Sequence, residues 1–212
     1  GALRGVLFLA FPATVGLILL GQVGISLLLQ YGAWTPESTA ATAWALSFFA
    51  LGIAGHSLLE VLSRAFYALA DTRTPVLVGI ASMAANIALS LVLVHVVGDA
   101  NTLSRGSFAG LALANSLATL LEGAALWWLL RRRIGSLKDG YVLNGAARAL
   151  AAALGMGAVV WLLVNALSET GGLLTALIGA GVGVGVFFVL AFVFGVEEAR
   201  TMPKLVFGRF RR

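Results

Sequence analysis

Residues 108–133 read FAGLALANSLATLLEGAALWWLLRRR. From 108 to 130 the only ionisable residue is Glu122, and the run ends in Trp127, Trp128 and the triplet Arg131, Arg132, Arg133. At 1.5 Å per residue such a helix covers about 34 Å, enough to cross ~30 Å of hydrocarbon. Tryptophan settles at the headgroup boundary, and arginine marks the cytoplasmic end of a span. This stretch makes the chain an integral membrane protein.

Five more apolar segments qualify as spans, near 4–30, 40–69, 76–97, 146–167 and 173–196. The expected fold class is all-α, with six transmembrane helices. Lys and Arg sort by side. Arg4 lies at the N-terminal end, Arg64 and Arg73 in the second connection, and Arg131, Arg132, Arg133, Lys138 and Arg148 in the fourth. Arg200, Lys204, Arg209, Arg211 and Arg212 fill the tail, which places 13 of 14 basic residues on one side and Arg105 alone on the other. The positive-inside rule puts both ends in the cytoplasm.

Composition excludes other classes. Charged residues are 11% of the chain, against about 25% in a soluble domain. The formal charge of +5 does not indicate nucleic acid, because the basic residues sit at span ends, where they meet anionic headgroups. There is no cysteine, so disulfides and thiol chemistry are excluded. With two His and no carboxylate cluster, nothing supports an enzyme or a metal centre. The first apolar stretch is too long for a signal peptide, and the chain opens Gly-Ala-Leu-Arg without Met, as expected of a piece of a longer protein.

Polar residues inside the spans are the candidate functional groups, because a mid-membrane charge costs ~2.5–3.5 kcal/mol on insertion scales. His56, Glu60 and Arg64 follow Gly52 at four-residue spacing and so share one helix face. They either line a wet cavity or reduce to a local Glu60–Arg64 pair, with His56 bonded to a neighbouring helix. Glu122 is expected to reach toward Arg131 or Arg132. Pro12 is expected to bend the first span, and Ser38 or Thr39 to cap the second. Asp71 and Arg73 are placed to fix the turn before Pro75. Gly181 and Gly185 form a small-xxx-small pair suited to helix contact. The glycines and mixed charge of 134–145 read as a cytoplasmic loop. It divides a four-span unit, 1–133, from a C-terminal hairpin and basic tail, 146–212.

Three segments together resemble the MurJ/MviN family of lipid II flippases, in the MOP flippase superfamily. The first is Phe66-Tyr67-Ala68-Leu69-Ala70-Asp71-Thr72-Arg73-Thr74-Pro75. The second is Leu27-Leu28-Leu29-Gln30-Tyr31-Gly32-Ala33-Trp34-Thr35, and the third is Gly110-Leu111-Ala112-Leu113-Ala114-Asn115-Ser116-Leu117-Ala118. The resemblance implies two six-helix lobes followed by two extra helices. This chain would supply the last four helices of the second lobe plus the hairpin, with N-terminal helices missing. It implies transport of undecaprenyl-linked peptidoglycan precursor across a bacterial inner membrane by alternating access, and a groove for the polyprenyl tail formed by the hairpin.

Some members also bind sodium. The pattern maps onto Asn86, Ser90, Leu111 and Asn115, with Ser90 where the family has Asp and Asn115 where it has Thr, so the carboxylate is lost. Alternatives are a flippase for another polyprenyl-linked glycan, a cation-coupled drug exporter of the same superfamily, or a structural membrane subunit.

Overall fold

The computed structural model of the chain describes residues 2–135, 139–167 and 172–199. Seven helices lie within them: α1 Ala2–Leu29, α2 Pro36–Leu51, α3 Ile53–Ala68, α4 Arg73–Val96, α5 Ala109–Ile134, α6 Asp139–Ala166 and α7 Gly172–Val193. Six spans are long and apolar enough to cross a membrane, with α2 and α3 forming one span, Pro36–Ala68, broken at Gly52. The expected single helix over 40–69 is therefore two half-helices.

The helices pack as a row. α4 lies on α5, α5 on the broken span, the broken span on α1, and α1 on both α6 and α7. Small residues set these approaches. A Cβ on Gly110 would stand 2.3 Å from the Leu93 carbonyl oxygen, so α5 touches α4 backbone to backbone. A Cβ on Gly55 would stand 3.0 Å from the Leu120 nitrogen, so α3 also meets α5 backbone to backbone, though less tightly. Below that contact Leu62, Phe66, Leu126 and Leu130 form a buried cluster.

The larger apolar cluster lies between α1 and the hairpin. Phe8 of α1 is buried with Ala149, Ala152, Met156, Val160 and Phe187. The hairpin is thus a full packing partner of α1 rather than an accessory. The glycines of α7 that make contact are Gly179, against Leu20, and Gly183, against Val160. Gly181 and Gly185 face open space, which corrects the expected pair. The two pairs lie on opposite faces of one helix, and α1 and α6 occupy the other face.

Two boundaries also differ from expectation. Thr35 caps α2, its Oγ1 accepting from the Ser38 N–H at 3.2 Å. Pro36 takes the first helical position, where its missing N–H costs nothing, and Thr39 instead accepts from Trp34 Nε1 at 3.0 Å. α6 begins at Asp139, so the stretch from 139 to 145 is helix rather than loop.

The turn from α3 to α4 is compact. The Asp71 N–H bonds the Phe66 carbonyl at 3.0 Å and the Ala70 N–H bonds the Tyr67 carbonyl at 3.0 Å, with Ala70 at φ +56°. This is the six-to-one and five-to-two pairing that closes a helix on a left-handed residue.

Candidate functional site

α3 buries Gly55, Leu62 and Phe66 and leaves the opposite side open. His56, Glu60 and Arg64 all lie on that open side. Arg64 donates to Glu60 one turn away, and both side chains remain mostly exposed, at 75% and 66%. The Glu60–Arg64 pair is therefore present. His56 is not bonded to a neighbouring helix among the described residues, since its side chain projects from the open face. The open faces of the other spans are mainly apolar, with Ile80, Met83, Ile87 and Leu91 on α4, Leu154 and Trp161 on α6, and Val184 and Val189 on α7, although Gln22 of α1 and Arg148 and Asn165 of α6 are also exposed.

The motif Asp71-Thr72-Arg73-Thr74-Pro75 forms a clasp. Asp71 Oδ1 accepts from the N–H groups of Arg73 and Thr74 at 3.1 and 3.0 Å, and Oδ2 accepts from Thr74 Oγ1 at 2.6 Å. Arg133, at the end of α5, donates to the same Oδ2. Pro75 is buried, whereas Thr72 and the Arg73 side chain are exposed. Asp71 thus holds the turn through its carboxylate, and Arg73 contributes only its backbone N–H.

The Thr74 hydroxyl, then its N–H, then Arg133 hold the Asp71 carboxyl down to about 2. Its folded value lies below the unfolded one, so its stabilisation is complete above the ordinary carboxylate value of about 4 and is lost as pH falls toward 2. Asp71→Asn should flatten this acid limb of an unfolding-versus-pH profile. An unchanged limb would show that the clasp contributes nothing.

Three of the four expected ion-site residues come together. Asn86 Nδ2 donates to Asn115 Oδ1 at 3.5 Å, and Ser90 Oγ donates to Asn86 Oδ1 at 3.1 Å. Ser82, one turn earlier on α4, donates to the Ala118 carbonyl at 3.1 Å. Ser82 and Asn86, at i and i+4 of α4, therefore stitch it to α5, and Ser90 at i+8 bonds back to Asn86 within α4. Leu111, whose backbone carbonyl is the expected ligand, turns its side chain outward, 47% exposed, an orientation that does not bear on that carbonyl. The cluster offers neutral oxygens and amides, with no carboxylate hydrogen-bonded to it among the described residues.

Glu122 does not reach the arginines. Arg131 pairs with Asp139 at 3.1 Å, the Arg132 guanidinium stacks 3.7 Å over Trp128, and Arg133 holds Asp71. Glu122 instead turns toward α4, with an oxygen 3.4 Å from where a Cβ on Gly79 would stand. It shares a cleft of ≈ 170 Å³ there with Ser82.

Two features are placed only by the fold, the first of them expected from the resemblance as a groove of the hairpin but without its α1 wall. One is an apolar groove of ≈ 290 Å³ where α1 meets the hairpin, lined by Leu9, Pro12, Gly16, Gly179, Gly183 and Phe187. α1 runs through Pro12 without a break, so that proline shapes the groove wall rather than ending the helix. The glycine spacing of α7 against Pro12 and Gly16 of α1 was the available signal. The other is Arg4, 6% exposed. It donates to Glu198 at 2.8 Å, lies 3.5 Å from Glu197, and stacks 4.0 Å over the Tyr141 ring. Gly145 makes the room, since a Cβ there would stand 2.4 Å from Arg4 Nε. Gly195, at φ +67°, turns the chain so that both glutamates return to α1.

Comparison with known proteins agrees with the helix row. Residues 1–182 match the family model described as lipid II flippase MurJ. A probable lipid II flippase MurJ of Vibrio cholerae serotype O1 is 31% identical over 188 residues, covering 85% of this chain and 34% of its own length. The corresponding protein of Rhizobium tropici is 29% identical over 201 residues, covering 90% of this chain and 36% of its own. A solved structure of lipid II flippase MurJ in an inward closed conformation superposes with a TM-score of 0.71. It has 26% identity and covers 91% of this chain and 37% of that chain. The chain spans about a third of the length of these relatives.

Proposed function

The chain belongs to the lipid II flippase MurJ family, and from that premise we propose that it is the C-terminal part of a transporter. The cargo is the undecaprenyl-linked peptidoglycan precursor, carried from the inner to the outer leaflet. The observation that carries this reading is the charged open face of α3. His56, Glu60 and Arg64 project together from one face of a membrane span, whereas the exposed faces of its neighbours are mainly apolar between their ends, with Gln22 on α1 as an uncharged exception. Hydrocarbon does not accept such a face without cost, whereas a wet cavity completed by the remainder of the transporter does. A pyrophosphate headgroup passing through that cavity would feel the field of Glu60 and Arg64.

The groove beside α1 supports the same reading from the other end of the cargo. Its walls are almost wholly carbon, and α7 narrows to glycine along it, so an extended polyprenyl chain fits its chemistry. The charge split sets the proposed orientation, with Arg4, the Asp71 clasp and the ends of α5 and α7 on the cytoplasmic side.

The test is Glu60→Gln in the full-length protein, followed by flipping of precursor in vesicles. Gln keeps size and most hydrogen bonding but removes the charge. If Glu60 faces the cavity, flipping per molecule falls about tenfold, equal to about 1.4 kcal/mol on the barrier. The fold loses only ~0.2–0.5 kcal/mol, as for one helix pair. Unchanged flipping, or full recovery in Glu60→Gln with Arg64→Gln, would mean that the pair merely balances itself.

A further inference from the structure

The break in the second span has no proline, and Gly52 adopts φ −77° and ψ −13°, a conformation open to any residue. Glycine is needed there for another reason. A Cβ on it would stand 2.8 Å from Ser116 Oγ and 3.1 Å from Ser116 Cα, so α5 presses directly on the break. In an unbroken helix the Gly52 N–H would bond the Phe48 carbonyl. Instead it bonds Phe49 at 3.0 Å, and the fully buried Ser116 hydroxyl donates to the Phe48 carbonyl at 2.7 Å. From the other side, Thr14 of α1 donates to the Ala50 carbonyl at 3.0 Å. Neighbouring hydroxyls thus satisfy backbone groups that a broken membrane helix would leave bare.

We propose that Gly52 is a pivot in the membrane and that Ser116 and Thr14 are its latch. The Phe48 carbonyl has two alternative donors, the Ser116 hydroxyl in the interrupted span and the Gly52 N–H in a continuous one. Nothing else in the backbone enforces the interruption, because the dihedrals at Gly52 already lie near helical values. The element therefore has two discrete arrangements of similar hydrogen-bond count. α3 is the moving arm. From Gly52 to Arg64 it is about 18 Å long, so a change of about 20° carries Arg64 by about 6 Å. His56 and Glu60 travel with it, while α2, capped by Thr35, holds position. Ser116 and Thr14 are positioning residues that aim the charged face without touching cargo. The consequence for transport rests on the cavity reading of that face, whereas the pivot itself does not.

These 212 residues hold no cysteine, so once any cysteine in the remainder of the full-length protein is replaced, pairs of spin labels can be placed here and measured in lipid vesicles. One label pair, at Tyr67 and Leu143, reports the arm, and a second, at Leu28 and Glu37, reports the outer half. Ser116→Ala is expected to shift the arm distance, or add a second population, by about 6 Å while the outer pair holds. Thr14→Val, which keeps shape and removes the hydroxyl, is expected to shift it in the same sense, and Thr14→Ser to restore it. Thr14→Val also serves if Ser116→Ala fails to fold. Arm distances unchanged in both hydroxyl-deleted variants would overturn the pivot. A shifted arm in a protein whose flipping ignores Glu60→Gln would uphold the pivot and remove the cavity reading instead.

Discussion

Gly110→Val should be among the most damaging single substitutions in this chain, costing about 3 kcal/mol or abolishing insertion of the α4–α5 pair. Overpacking a tight contact typically costs 1–3 kcal/mol, and here the obstacle is backbone. The added Cβ alone meets the Leu93 oxygen, the Leu93 carbonyl carbon at 2.5 Å and the Val94 nitrogen at 2.7 Å. No rotamer change relieves that, so the helices must part. Parting them also stretches the bonds further along the seam, Ser82 to Ala118 and Asn86 to Asn115. Gly110→Ala should already cost about 2 kcal/mol, with Leu111→Ala, at an exposed neighbouring position, as the control. Denaturant titration in micelles measures all three. An Ala variant as stable as the parent would mean that the helices adjust freely and that the glycine is incidental.

That contact explains why the stretch at 108–133 was so readable. Its small residues, Ala109, Gly110, Ala112, Ala114 and Ala118, are buried. Its bulky Leu111 and Leu121 face outward. Over the first half of the helix the pattern needed no partner to be recognised, because there size separates the packed face from the open one; further along, the bulky Leu126 and Leu130 are buried instead. The same holds for Asn86 and Ser90, whose four-residue spacing marks a polar stripe wherever the opposite helix lies.

The features that escaped reading share a different cause. The break at Gly52 has no local signature: its dihedrals are helical, and its maker, Ser116, is 64 positions away. Gly179 and Gly181 are chemically identical, and only the positions of Leu20 and Val160 decide which glycine face is used. Glu122 was assigned to the arginines on its own helix, yet each of them had a nearer partner on another segment or a ring to cover. The cap was legible and misread, for Thr35-Pro36 is a stronger start signal than Ser38 or Thr39. Local chemistry was therefore visible in one dimension. Choices between equivalent local options were not.

Arg4 is the clearest case of such a choice, and its loss is the other large effect expected. In sequence it is one more basic residue at a span end, equivalent to Arg64. In the fold the two differ sharply, since the Arg4 side chain is 5% exposed and the Arg64 side chain 75%. An exposed i,i+4 pair contributes a few tenths of a kcal/mol. Removing one member of a fully buried pair costs about 3–5 kcal/mol, because the remaining charge stays in a medium that cannot solvate it; here Arg4 is buried while Glu198 and Glu197 are 14% and 61% exposed. Arg4→Leu should therefore destabilise by about 3 kcal/mol at most, with Arg64→Gln near zero on the same titration. Arg4→Lys should fall between them, as it keeps the charge but loses the planar group stacked on Tyr141. The damage should localise to the basic end of the groove, where Arg4 stacks on Tyr141 at the start of α6 and pairs with Glu197 and Glu198 beyond α7. Cross-linking of cysteines placed on α1 and α7 at that end should slow in Arg4→Leu. Equal stability of Arg4→Leu and Arg64→Gln would show that the apolar packing of Phe8 and Phe187 docks the hairpin by itself, with the buried arginine as a passenger.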